Sequence, residues 1–93
     1  MTTAFVSDET IRETTLDIIV DELELDAEPD EVDGAADLIE FYGADSLGLI
    51  QVLARVNKQL GIRVPREQAV DLRTVELLVQ RIIDIRDGKG GDQ

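Results

Sequence analysis

Apolar residues in this chain recur at helical intervals and nowhere alternate with polar ones as a strand requires. Ile11, Thr15, Ile18, Ile19 and Leu23 share one face of a helix expected from residue 8 to about 24, with Arg12, Glu13, Asp17 and Asp21 elsewhere on its circumference. Ser7 is placed to cap it, and Asp8 and Glu9 sit beside the positive end of its dipole. A second helical pattern opens at Asp45-Ser46-Leu47 and runs to about Leu60, where Gly61 closes it. Its core face is Leu49, Val52, Leu53, Val56 and Leu60. Leu47, Ile50 and Ala54, spaced i, i+3 and i+7, form a second apolar line that one small core cannot easily absorb. Arg63-Val64-Pro65 is extended, since the proline keeps Val64 out of the α region. A short helix is expected from about Arg66 to Val70, and Thr74 caps a last one burying Val75, Leu78, Val79 and Ile82 and ending near Asp87. The pattern predicts an all-α fold, a small four-helix bundle of three longer helices and one short one.

Between the first two helices the periodicity disappears. The acidic stretch Asp26 to Gly34 contains both Pro29 and Gly34 and reads as part of a long loop from Leu25 to Asp45. A loop of that length is expected to be functional or tied down, and Leu38, Ile39, Phe41 and Tyr42 are the candidate ties. With 93 residues, the chain suits one domain, residues 1–93, with a helical core over about 8–86 and a flexible tail over about 88–93. Aromatic residues are only 3% of the chain against 43% hydrophobic, so the core is built from Leu, Ile and Val.

The net charge of −12 is unevenly spread. Residues 1–51 carry 15 acids against the single cation Arg12, whereas residues 52–93 carry 8 cations against 6 acids. Such a field repels nucleic acid and anionic membranes and steers the chain toward basic surfaces of other proteins. Without Cys there is no disulfide or thiolate site, and without His the usual general base near neutral pH is missing, so the chain is not expected to be an enzyme. Asp26, Glu28, Asp30 and Asp33 fail the calcium-loop pattern, because Glu31 and Asp37 stand where it needs Gly and Glu; no metal site is expected. Met1 to Phe5 does not read as a signal peptide, and no apolar run approaches membrane-spanning length. A cytoplasmic monomer is the simplest expectation.

Two serines occur, and their contexts differ. Ser7 reads as a cap, whereas Ser46 follows a long loop at the first turn of a helix, where unpaired amides and the dipole favour a phosphate. Asp45 fits either a cap or a residue that orients a metal-bound phosphate donor. On the residues alone, Asp45-Ser46 is equally readable as an ordinary N-cap pair.

The segment Gly43-Ala44-Asp45-Ser46-Leu47 resembles the G-x-D-S-L motif of the acyl carrier protein family. The likeness extends over residues 8–86 through the helix spacing, the loop length, Gly61-Ile62-Arg63-Val64-Pro65 and the capped last helix. It implies that Ser46 is esterified to 4′-phosphopantetheine from coenzyme A, whose thiol carries acyl groups as thioesters. It also implies a phosphopantetheinyl transferase and an acyltransferase, ketosynthase or related enzyme as partners, with Asp45, Leu47, Ile50 and Ala54 as their contacts. Two departures bear on the pathway. Phe41-Tyr42-Gly43 replaces the Asp-Leu-Gly usual in housekeeping fatty-acid carriers, and the helix after Ser46 carries Gly48, Gln51, Arg55, Asn57 and Lys58 where those carriers have acids. Recognition is then expected to depend on Leu47, Ile50 and shape more than on charge. Gly48 costs about 1 kcal/mol against alanine in a helix, which points to close approach by a partner or the arm, or to mere tolerance. These features favour a discrete carrier of polyketide-type biosynthesis. The alternatives are a peptidyl carrier of nonribosomal synthesis, whose motif is more often Gly-Gly-[Asp/His]-Ser-[Ile/Leu], a fatty-acid carrier, and an unmodified acidic interaction module.

Overall fold

The three longer helices each start at the side chain placed to cap them. In the computed structural model, which describes residues 6–89, Ser7 Oγ accepts the Thr10 amide at 3.1 Å and opens α1 (Asp8–Glu22). Asp45 Oδ1 accepts the Gly48 amide at 2.8 Å and opens α2 (Ser46–Leu60). Thr74 Oγ1 accepts the Leu77 amide at 3.0 Å and opens α3 (Val75–Arg86). Gly61, with φ at +71°, closes α2 as its lack of a side chain allows. α1 ends just short of the expected residue 24, because Glu24 turns left-handed (φ 53°) and the Leu25 amide donates back to the Val20 carbonyl. The short helix before α3 is a 3₁₀ helix over Arg66–Asp71, which buries Ala69.

Of the tail expected over 88–93, residues 90–93 lie outside those described, as do Met1 to Phe5. Gly88 and Lys89 belong to the cap of α3: Gly88 is left-handed and donates to the Ile85 carbonyl, and Lys89 donates to the Asp84 carbonyl at 2.7 Å.

α1 lies against both α2 and α3, and the 3₁₀ helix lies against α2. Ile11, Ile18, Ile19, Val52, Val56, Val75, Leu78 and Ile82 are fully buried between them, each contributing on the order of 1.5–3 kcal/mol of transfer free energy. Ile62 and Val64 are buried on either side of exposed Arg63, which brings the extended link onto the same core. Leu60, expected in the core, is only half-buried at the end of α2. Among the described residues there is no strand, so the all-α expectation holds.

The loop from α1 to α2 is tied down more thoroughly than its sequence suggests. Asp37 Oδ1 accepts the amides of Ile39 (2.8 Å) and Glu40 (3.0 Å), and a helical turn follows in which Phe41, Tyr42 and Gly43 donate to the Asp37, Leu38 and Ile39 carbonyls. Leu38 is fully buried and its amide donates to the Arg73 carbonyl at 2.7 Å. The Asp37 carboxylate pairs with Arg73 Nε at 2.9 Å. The Glu40 amide first, with the Arg73 and Ile39 hydrogen bonds, holds the Asp37 carboxyl below the ordinary carboxylate range, against an opposing effect of burial. The Tyr42 hydroxyl accepts the Asp33 amide at 3.0 Å, and the Glu76 amide donates to the Gly34 carbonyl. Leu38, Ile39 and Tyr42 therefore act as ties, but Phe41 does not. Its ring is 69% exposed and stands perpendicular to that of Tyr42, at 4.8 Å between centroids.

Candidate functional site

The turn over residues 38–42 and α2 meet at Gly43, whose φ of +77° reverses the chain into the extended cap residue Asp45. Ser46 is then the first residue of α2, exposed, and its hydroxyl makes no hydrogen bond among the described residues. Asp45 satisfies the next turn, taking the Gly48 amide on Oδ1 and the Leu49 amide on its carbonyl at 3.1 Å. The amides of Ser46 and Leu47 have no partner among the described residues and open the positive end of the dipole. A free primary hydroxyl beside two unpaired amides has the donor set a phosphodiester at that oxygen would use. Alongside lies a cleft of about 290 Å³ between the end of α1 and the start of α2, lined in part by Glu22, Leu23, Asp45 and Leu47.

The expected contact line divides in the structure. Leu47 is 61% exposed and Ala54 is exposed, whereas Ile50 is half-buried and packs partly on the core. Ile50 and Ala54 line a groove between α2 and the segment Arg63 to Glu67.

A family model described as the phosphopantetheine attachment site matches residues 13–82, a span that holds Ser46 and most of the bundle. The chain is 38% identical over 77 residues to an acyl carrier protein of Akkermansia muciniphila, covering 83% of this chain and 94% of that one. The chain belongs to the acyl carrier protein family. It is also 37% identical over 60 residues to an acyl carrier protein of Bdellovibrio bacteriovorus, covering 64% of this chain and 74% of the other. To an acyl carrier protein of Amoebophilus asiaticus it is 34% identical over 70 residues, or 75% of this chain and 85% of the other. The prosthetic group is covalently attached 4′-phosphopantetheine.

Within this carrier, Gly48 has a different cause from the one its sequence suggested. A Cβ built at Gly48 would lie 2.8 Å from Leu23 Cδ2 and 3.3 Å from Asp45 Oδ1. The close approach is internal, from α1, and needs neither partner nor arm. Arg55, one of the residues standing where housekeeping carriers have acids, bridges Asp21 and Glu22 and joins α2 to α1. Those hydrogen bonds raise its pKa further, burial opposing. Phe41, expected as a tie of the loop, is exposed instead. The departure from the family pattern just before the motif thus puts an exposed aromatic ring a few residues from Ser46.

Among the described residues no helix is long and apolar enough to cross a membrane. Nor do any three acids converge there as a metal cage would need.

Proposed function

We propose that Ser46 is the attachment point and that the chain is a discrete carrier, not a catalyst, of polyketide-type biosynthesis. The observation that carries the reading is the exposed, unbonded Ser46 hydroxyl at the start of α2, inside the segment matched by the attachment-site family. Under a phosphopantetheinyl transferase, Ser46 Oγ would form the phosphodiester to the arm as the pyrophosphate bond of coenzyme A breaks, adenosine 3′,5′-bisphosphate leaving and the serine proton passing to a base of the transferase. The Ser46 and Leu47 amides would receive phosphate oxygens there. Asp45 keeps the first turn in register through Oδ1, and its Oδ2, without a partner among the described residues, faces the approaching transferase. When bound, the group supplies a thiol that holds acyl chains as thioesters, chemistry a chain without Cys lacks.

Leu47, Ile50 and Ala54 are the contacts for an acyltransferase or ketosynthase. The carrier raises the effective concentration of cargo at each partner site and lowers no chemical barrier itself. The polyketide reading rests on Phe41-Tyr42 before the motif and on the absence of acids in α2. The cytoplasm, where coenzyme A is available, is the compartment that goes with it.

The test is a loading assay on arm-bearing protein. Transfer from malonyl-coenzyme A, with none from activated amino acids, supports the proposal. Preferential loading of an amino acid would move the chain to nonribosomal synthesis.

A further inference from the structure

From Ser46 to Arg66 the chain has no acid and four cations, although it carries 21 acids in all. One of the four, Arg55, is turned to α1 and paired. The other three, Lys58, Arg63 and Arg66, are exposed and have no ion pair among the described residues. Arg73 and Arg86, by contrast, are paired to Asp37 and Glu40 and to Asp8 and Asp87.

These free cations stand next to the apolar line. Leu47, Ala54 and Lys58 are spaced by whole helical turns and share the outer face of α2. Arg63 and Arg66 border the groove that holds Ile50, Ala54 and Pro65, with Glu67 the one acid on its rim. The face is thus aliphatic with a positive border, on a molecule whose net charge is −12. We infer that this face docks on a protein surface that offers an aliphatic pocket edged by Asp or Glu carboxylates, the reverse of the basic surface that the chain's overall charge predicts. The inference rests on the carrier reading for the identity of the partner as an acyl-transferring enzyme.

Two length scales reconcile the local and global charges. At physiological ionic strength a charge is screened over about 8 Å, so at contact the groove's own border, Arg63 and Arg66 against Glu67, sets the local field, while Asp21 and Glu22 of α1 are already paired with Arg55. Arg63 and Arg66 each present a planar fork suited to two-point pairing with a carboxylate. At longer range the net charge of −12 opposes approach to an acidic patch, so the preference is an effect of contact, set by the cations at the groove. Neutralisation of the border would then set the orientation, and burial of Leu47 and Ile50 would supply the affinity.

The probes are two synthetic amphipathic helical peptides with the same Leu and Ile face, one flanked by Glu and the other by Lys. Each is titrated into the ¹⁵N-labelled full chain, with and without the arm, at physiological ionic strength. The Glu peptide is expected to saturate with a Kd below about 1 mM and to shift amides within 47–67, and the Lys peptide to bind at least about tenfold more weakly. Arg63→Glu and Arg66→Glu are each expected to weaken the Glu peptide about tenfold, and Lys89→Glu, at the far end of α3, less than about twofold. Melting curves establish that the variants are folded.

Equal or tighter binding of the Lys peptide, shifts centred on the acidic loop, or no saturation by either peptide would overturn the inference. So would a salt-sensitive dimer of the chain abolished by Arg66→Glu, which would make the occupant a second copy. Failure of the carrier reading shows separately, as the absence of arm attachment to protein that still binds the Glu peptide.

Discussion

A hydrogen in place of a methyl at position 48 lets the Leu23 side chain of α1 close over the first turn of α2. Gly48→Ala should therefore recover less than the roughly 1 kcal/mol that this exchange ordinarily returns in a helix. Removing Leu23 makes room, so a double-mutant cycle of Gly48→Ala with Leu23→Ala should give a favourable coupling of about 0.5–1 kcal/mol by urea denaturation. Strict additivity would show that the contact carries no strain. The residue scale also shows what a sequence can and cannot disclose. That Ser46 opens a helix, that Asp45 caps it and that Leu47 points outward were readable because each depends on one helix turn. The oddity of Gly48 was readable too, but its cause was not, since Leu23 comes from another element. Phe41 misled because an aromatic residue in a loop is ordinarily a tie, and here Tyr42 takes that part through its hydroxyl.

Among the elements, the three α-helices and their caps were legible from apolar spacing and from Ser7, Asp45 and Thr74, because helix signals repeat over several turns. The helical turn after Asp37 was not. It is too short for a period to register, its capping acid is one of many in the segment, and its anchors, the Arg73 carbonyl and guanidinium, lie far along the chain. Asp37 joins the two features, capping the turn and pairing with Arg73. Because its pKa is lowered in the fold, its contribution is present above the unfolded value, near about 4, and is lost as pH falls through the folded one. Asp37→Asn should lower the urea midpoint at pH 7, and the gap to wild type should narrow as pH drops below about 4. A gap independent of pH would mean that the carboxylate charge contributes nothing to the turn.

The whole molecule combines a small aliphatic core with a surplus of negative charge. Three arginines span separate parts of the chain: Arg55 joins α2 to α1, Arg73 joins the start of α3 to the loop, and Arg86 joins the end of α3 to Asp8. They offset only part of the self-repulsion implied by a net charge of −12. Raising salt should therefore stabilise the fold, by about 1 kcal/mol or about 5 °C in Tm for a domain of this size. A fall in Tm would show that these ion pairs outweigh the repulsion. The same distribution leaves α2 free of acids beyond its cap, next to a serine that no contact within the described fold occupies. The central claim is that this serine carries the arm. The most direct measurement is the intact mass of the full chain after incubation with coenzyme A and a broad-specificity phosphopantetheinyl transferase. Wild-type protein should gain one phosphopantetheine, and Ser46→Ala should gain none while melting at the wild-type temperature. An unchanged wild-type mass under conditions that modify a control carrier, or a mass gain that survives Ser46→Ala, would contradict it.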